Sequence, residues 1–407
     1  MRIVQKPLRL GNTLKFTAPF ICVSLSSCQS TPEMLAPASA VQSPKPNSPV
    51  ARPDVPVKAA KKRSVPTTPQ TIATGLTVPW ALAFTPDGRT LVTERPGRIR
   101  VIQKGKLLST PWRTLGVVKT GEMGLLGIAL SPDFARNKHV FVVGTYAAGG
   151  RFVNRVIRLT DRQGRGADPK IIVDNIPAGP RHSGDAIAFG PDGTLYIATG
   201  DARRPQIAQN PSSLGGKILR YRPDGTIPPD NPFPGSPVYA LGLRNPQGLA
   251  WDRATGTLFA TDHGPSGFRN EGGLRHHDEL NIIHAGANYG WPVVAGRSDD
   301  RRFTPPLLDW TPAIAPSGLA ISGNSLYVGA LKGQQLRRVD LARAPGSRLG
   351  WKVLKQQALF IGRPGRIRAV HVTPDGSLAL TTSNRDDNSR RVYPGDDRVV
   401  RVNFSRQ

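Results

Sequence analysis

Cysteine is nearly absent from this 407-residue chain: there are two, Cys22 and Cys28, both close to the N-terminus. No disulfide framework can therefore hold the body of the protein together. Acids are scarce beside bases, with 28 Asp and Glu against 55 Lys and Arg, a formal net charge of +27. The basic residues are spread along the whole length, without a helix-turn-helix, a zinc finger or a basic run interleaved with aromatics, which excludes nucleic acid as the partner. Scattered arginine suits an anionic small ligand or an anionic envelope surface better. There is no Gly-x-Ser-x-Gly elbow for a serine nucleophile. The "HHDEL" that starts at His276 lacks the spacing of a zinc-protease helix and reads as a polar loop. Apolar runs are short everywhere, and none reaches the roughly 18 residues that a membrane helix needs.

The chain is instead rich in turn formers, with 43 Gly, 39 Pro and a hydrophobic fraction of 38%. Residues 1–28 carry a basic start, the apolar stretch "FTAPFICVSL" and then "LSSC". That is a secretory signal whose end resembles a lipobox, which makes Cys28 the lipidated first residue of an exported, membrane-anchored lipoprotein at the cell envelope or its periplasmic face. Residues 29–70 are Pro-, Ser-, Ala- and Lys-rich without any hydrophobic period, and read as a disordered tether.

From residue 71 to 407 one pattern returns six times: a short alternating apolar run, a turn often spelled Pro-Asp-Gly, and a second apolar run. The last apolar residues before the turns are Phe84, Leu130, Phe189, Trp251, Ile321 and Val372, spaced 46, 59, 62, 70 and 51 residues apart. Each copy is a β-hairpin, and a hairpin cannot bury its own apolar faces. Six of them at this spacing predict an all-β fold, a six-bladed β-propeller.

Polar residues recur four to eight positions ahead of these anchors: Glu122, His182, Arg244, Asn245, Ser317, Arg366 and Arg368. On inner strands they would ring one mouth of the central channel, where propellers place ligands. Several arginines facing one channel repel each other unless an anion lies between them, so the site calls for a multiply anionic ligand. Asp201, closing "IATGD", is either a strand-end turn residue or the carboxylate that fixes the tautomer of His182.

At these residues the chain resembles the soluble, pyrroloquinoline quinone (PQQ)-dependent aldose sugar dehydrogenases of the glucose/sorbosone dehydrogenase-like family. The resemblance is carried by "GEMGLLGIALSPDF", "RHSGDAIAFGPDGTLYIATGD", "LGGKILRYRPDGTIPPDNPF", "YALGLRNPQGLAWD", "DHGPSG", "DELNIIHAGANYGWP", "APSGLAI" and "GRIRAV", in the family's order. It implies oxidation of an aldose at its anomeric carbon to a lactone, with His182 as general base, Asp201 orienting it, and an unidentified electron acceptor completing the cycle. It also implies that Arg244 and Asn245 hold the quinone oxygens, and that Lys332, Arg366 and Arg368 bind the cofactor carboxylates. Glu122 and His182 would be further cofactor contacts. A calcium ion is implied on the carbonyls of Gly264 and Pro265, and a second near Glu279 and Tyr289. Two positions depart from the pattern. Glu122-Met123 stands where relatives often have Gln-Gly, and an ionised glutamate accepts hydrogen bonds without donating them. Asp185 stands where Gly-Arg or Gly-Gln often follows the histidine motif.

Two rival readings compete for the same residues. A metal-dependent lactonase needs several inward carboxylates or amides around one metal, whereas the repeat-equivalent positions here are mostly His and Arg. A non-catalytic envelope propeller that binds an anionic glycan or a protein partner would keep the arginines and need no quinone.

Overall fold

The computed structural model describes residues 63–389 and 392–406. The signal, Cys28 and most of the tether lie outside the described residues. Helix among the described residues is limited to one turn at Phe134–Asn137 and two 3-10 turns, Pro205–Ala208 and Arg269–Glu271.

Six antiparallel sheets are arranged as the blades of a propeller, and the six hairpins supply the two innermost strands of each. The inner strands are Pro79–Phe84, Leu125–Leu130, Gly184–Phe189, Pro246–Asp252, Pro316–Ser322 and Ile367–Val372. Each touches the inner strand of the blades on either side, so the six form a closed ring. They define blades 1 to 6.

The core is divided into six apolar wedges, one between each pair of neighbouring blades. Phe141 of blade 2 meets Phe189 and Leu195 of blade 3, and Phe259 of blade 4 packs with Leu326 and Val328 of blade 5. Wedges on both faces leave the middle strands no wet side. Leu195–Thr199 and Ser325–Ala330 are buried at every residue, where simple alternation would leave every second one exposed. The Pro-Asp-Gly turns explain themselves locally: Asp87 accepts from the Thr85 hydroxyl and the Arg89 guanidinium, while Gly88 takes a φ of 82°. Those bonds bring the Asp87 carboxyl down to about 2.

Blade 6 is built from both ends of the folded part. Its outermost strand, Gln70–Ala73, pairs with Val399–Val402. Strand structure begins earlier than the sequence pattern suggested, because Arg63–Pro66, inside the stretch read as tether, pairs with Phe404–Arg406. The segment has no hydrophobic period of its own. Its partner strand supplies the backbone hydrogen bonds, which composition cannot reveal.

Candidate active site

The polar residues that precede the inner strands converge on one end of the ring. They line a cavity of about 510 Å³ bounded by Glu122, Arg181, His182, Arg244, Asn245, Gln247, Lys332, Arg366 and Arg368, with Phe268 and Leu331 as apolar wall. That volume suits a ligand of cofactor size. Ser317, at the corresponding place in blade 5, is not part of the wall. Its hydroxyl donates to the Ile367 carbonyl at 2.7 Å, with the Gly329 carbonyl 3.1 Å away, and ties blade 5 to blade 6.

His182 and Asp201 meet as a dyad. The His182 Nδ1 lies 2.7 Å from the Asp201 carboxylate, and both residues are buried. Asp201 is held in turn by the Trp291 indole N–H at 2.8 Å and the Arg203 backbone N–H at 2.7 Å. With Nδ1–H given to the carboxylate, Nε2 keeps its lone pair on the cavity side. The backbone of His182 is left-handed, with φ 57°, an unfavourable conformation for a residue with a side chain. Two contacts hold it there. The Glu122 carboxylate accepts its N–H at 2.8 Å, and Gly200 lets the chain pass so close that a Cβ there would stand 1.9 Å from the His182 carbonyl oxygen.

The role expected of Glu122 changes accordingly. Its Oε2 serves the His182 N–H and, at 3.5 Å, the Asn245 amide, and Arg181 stands 4.0 Å from Oε1. Glu122 borders the cavity and clamps the His182 backbone, and a carboxylate acceptor fits that task. Asn245 is gripped from three sides, its Oδ1 accepting from the Gly184 N–H and its own N–H going to Asp262.

Arg244 is also more committed than the sequence suggests. Its Nε and Nη2 both reach Glu271, at 2.8 and 2.5 Å, Nη1 reaches the His263 carbonyl and Nη2 the Ser266 hydroxyl. Four of its five N–H groups are thus engaged, leaving one for a ligand. Glu271 gave no signal in sequence beyond being an acid inside a glycine-rich loop.

Arg366 and Arg368 share the opposite wall with Lys332, which is exposed. Arg366 pairs with Asp386 at 3.1 Å and donates to the Ser383 carbonyl. Arg368 is buried over the ring of Trp80, 3.9 Å from its centroid; Nη1 bonds Gln247 and Nε has no protein partner. Burial, with Arg366 and Arg95 nearby, brings Arg368 down to about 10, so it remains a cation at neutral pH. Arg95 was not foreseen from sequence. It is buried, reaches Asp387 at 3.2 Å and leaves its own Nε unpartnered.

Gly264, Pro265, Glu279 and Tyr289 come together, but around a second, much smaller cavity of about 10 Å³ behind Arg244, which Asp262 and His277 also line. Gly264 and Pro265 border this small cavity, with Glu279 and Tyr289, and are not among the residues that line the large one. Asp262 and Glu279 are both pushed well above the usual carboxylate range, by burial first and, for Glu279, by the neighbouring Asp262. The Pro265 carbonyl already accepts the His276 N–H at 2.8 Å. Among the described residues no group of three or more His, Cys, Asp or Glu forms a metal cluster.

The family model described as Glucose / Sorbosone dehydrogenase matches residues 76–391. The chain belongs to that family. Solved structures similar to this family member include a putative oxidoreductase (glucose dehydrogenase) of Thermus thermophilus, 47% identical, covering 82% of this chain and 99% of that one with a TM-score of 0.77. Another is the PQQ-bound aldose sugar dehydrogenase of Streptomyces coelicolor, 38% identical over 83% of this chain and 97% of that one, with a TM-score of 0.74. An aldose sugar dehydrogenase of Escherichia coli K12 is 31% identical over 355 residues, 78% of this chain and 90% of its own length. The glucose/sorbosone dehydrogenase fold and the His–Arg cavity therefore occur together.

Proposed function

We propose that this sugar dehydrogenase oxidises aldoses at the anomeric carbon to lactones, with PQQ as its cofactor. The observation that carries the reading is the His182–Asp201 dyad at 2.7 Å, set in a cavity walled by arginines. The unpartnered Nε of Arg368 and the crowding of Arg95, Arg366 and Arg368 are what a tricarboxylate would relieve. Lys332, Arg366 and Arg368 would hold the cofactor carboxylates, and Asn245 with the last free N–H of Arg244 would face its quinone oxygens. When bound, the quinone supplies the acceptor for the hydride that leaves the anomeric carbon.

The chain's own residues do the proton work. His182 Nε2 takes the proton of the anomeric hydroxyl, and the lost C–H and O–H bonds become the lactone carbonyl. Asp201 keeps the Nδ1 proton in place and stabilises the imidazolium that forms. Trp291 and Arg203 keep Asp201 from turning away. Glu122 fixes the strained backbone from which the imidazole projects.

The test is to add PQQ and Ca²⁺ to the purified apoprotein and follow aldose-dependent reduction of a dye, with His182→Ala alongside. Turnover that needs PQQ and vanishes in the variant supports the reading. PQQ binding without turnover in any aldose would remove the sugar, and no binding would remove the cofactor and favour the glycan-binding propeller.

Calcium is proposed for the small cavity, where the carbonyls of Gly264, Pro265 and Tyr289 with Glu279 would supply oxygen donors of the kind a hard cation takes. Anchoring through Cys28, with the domain at the envelope, is likewise a proposal. Palmitate incorporation that disappears in Cys28→Ala is the expected result.

A further inference from the structure

Lys217 opens the strand Lys217–Tyr221 and is fully buried. Its ammonium is met by three main-chain carbonyls, those of Ile207 at 2.8 Å, Ala208 at 2.9 Å and Gly215 at 2.8 Å. Among the described residues no carboxylate pairs with it, and burial alone pushes it down to about 7. A buried ammonium without a counter-ion is costly, and its persistence in a core asks for a reason. Three short bonds from one tetrahedral donor to three carbonyls are the arrangement a small bound cation would adopt.

The three carbonyls belong to a single loop. It leaves blade 3 at Gly200 and returns at Gly216, and its ends are joined by the Gly216 N–H to Gly200 carbonyl bond at 3.0 Å. Ile207 and Ala208 close the 3-10 turn Pro205–Ala208; their carbonyls take the ammonium beside the backbone N–H groups of Asn210 at 3.2 Å and Gly242 at 3.1 Å. The first residue of the loop after Gly200 is Asp201. The residue after the turn, Gln209, donates from its side chain to the Trp291 carbonyl at 2.7 Å, and the Trp291 indole donates to Asp201 at 2.8 Å. Contacts thus run from Lys217 through the turn, Gln209 and Trp291 to Asp201, and from there to the ring of His182.

We propose that Lys217 is a positioning residue: its ammonium serves as the internal cation of loop 200–216, and the loop so fixed holds Asp201 and Trp291 in the geometry that orients His182. The catalytic half of this rests on His182 being the base. The loop half does not, and the two are tested separately.

Lys217→Met keeps the length and the apolar stem and removes the three donors. The expected result is a folded protein that binds PQQ as the wild type does, with KM little changed and kcat lowered about 10- to 100-fold, the scale of a small misplacement of a catalytic group. Tryptic cleavage after Arg203, which is exposed on the same loop, rises at least about tenfold over wild type once the cage is gone. Lys217→Ala, which leaves room for a soluble amine, should regain both kcat and tryptic resistance when ethylammonium is added. A folded Lys217→Met with wild-type kcat and wild-type tryptic resistance overturns the proposal, and so does a fall in kcat without faster cleavage. If Lys217→Met does not fold, the amine decides: rescue of Lys217→Ala supports the cage, and lack of rescue overturns it. If the wild type oxidises no aldose, the function reading fails, while the cleavage and rescue of the loop still report on Lys217.

Discussion

Blades 3 and 6 end in the same way and use that end differently. In each, one residue stands two places past the partner of the inner strand's first residue: Asp201 follows Thr199, which pairs with Gly184, and Asn384 follows Thr382, which pairs with Ile367. In blade 6 the Asn384 amide is spent mainly on backbone, accepting the Arg366 N–H at 2.8 Å and donating to the Pro364 carbonyl, with one further donation to the Asp396 carboxylate. In blade 3 the equivalent carboxylate also accepts one backbone N–H, that of Arg203, but it is otherwise spent on two side chains, the His182 imidazole and the Trp291 indole. The common scaffold position is thus a backbone lock in one blade and an imidazole holder in the other. Backbone fixation in blade 6 lets Arg366 and Arg368 face the cavity as cations that still have N–H groups to give. Side-chain fixation in blade 3 yields a satisfied dyad with one lone pair free. One wall presents charge, and the other, on the function proposed above, would move a proton.

The sharpest way to break this contrast is His182→Ala. It should lower kcat by about 10³-fold or more while PQQ affinity stays within about twofold, as measured by dye reduction and spectral titration of the cofactor. Loss of both together would mean that the two walls are one binding site. Asp201→Asn gives blade 3 the residue that blade 6 carries. An amide next to Nδ1 permits the wrong tautomer, so kcat should fall about 10²- to 10⁴-fold with the melting temperature little altered. Arg368→Leu attacks the other wall. PQQ should bind about 10- to 100-fold more weakly, the worth of a buried charge-assisted contact, while kcat at saturating cofactor stays near wild type.

Calcium sharpens the comparison from behind Arg244. At a hundredfold excess over its Kd it should stabilise the fold by about 2.7 kcal/mol in thermal melts, an effect lost in Glu279→Gln. The smallest change is expected for Glu122→Gln. The amide oxygen still accepts the His182 N–H, so kcat should move by less than about tenfold. A loss as large as that of Asp201→Asn would show that Glu122 touches the reacting groups.

Much of this was legible in the chain. Six hairpins with like-spelled turns announced six blades, because turn chemistry and apolar alternation are local properties. His182, Arg244, Asn245, Arg366 and Arg368 were placed at one rim because repeat-equivalent positions stand at equal height. Glu271, Arg95 and Trp291 were not assigned roles. Their parts depend on partners 27, 292 and 90 residues away, and no period in the sequence links such pairs. Glu122 was placed at the cavity, yet its task as a clamp could be seen only once the His182 N–H stood 2.8 Å from it.

The sequence by itself determined the blade count, the end of the ring that carries polar groups and the positive character of the cavity, since each follows from residue type and spacing along the chain. The tertiary structure decided which donors are already spent. It fixed Arg244 on Glu271, gathered the expected metal residues around one small cavity, and paired residues 63–66 with the far end of the chain. Hydrogen-bonding capacity belongs to a residue, but whether it remains available depends on neighbours that only the folded chain brings within 3 Å.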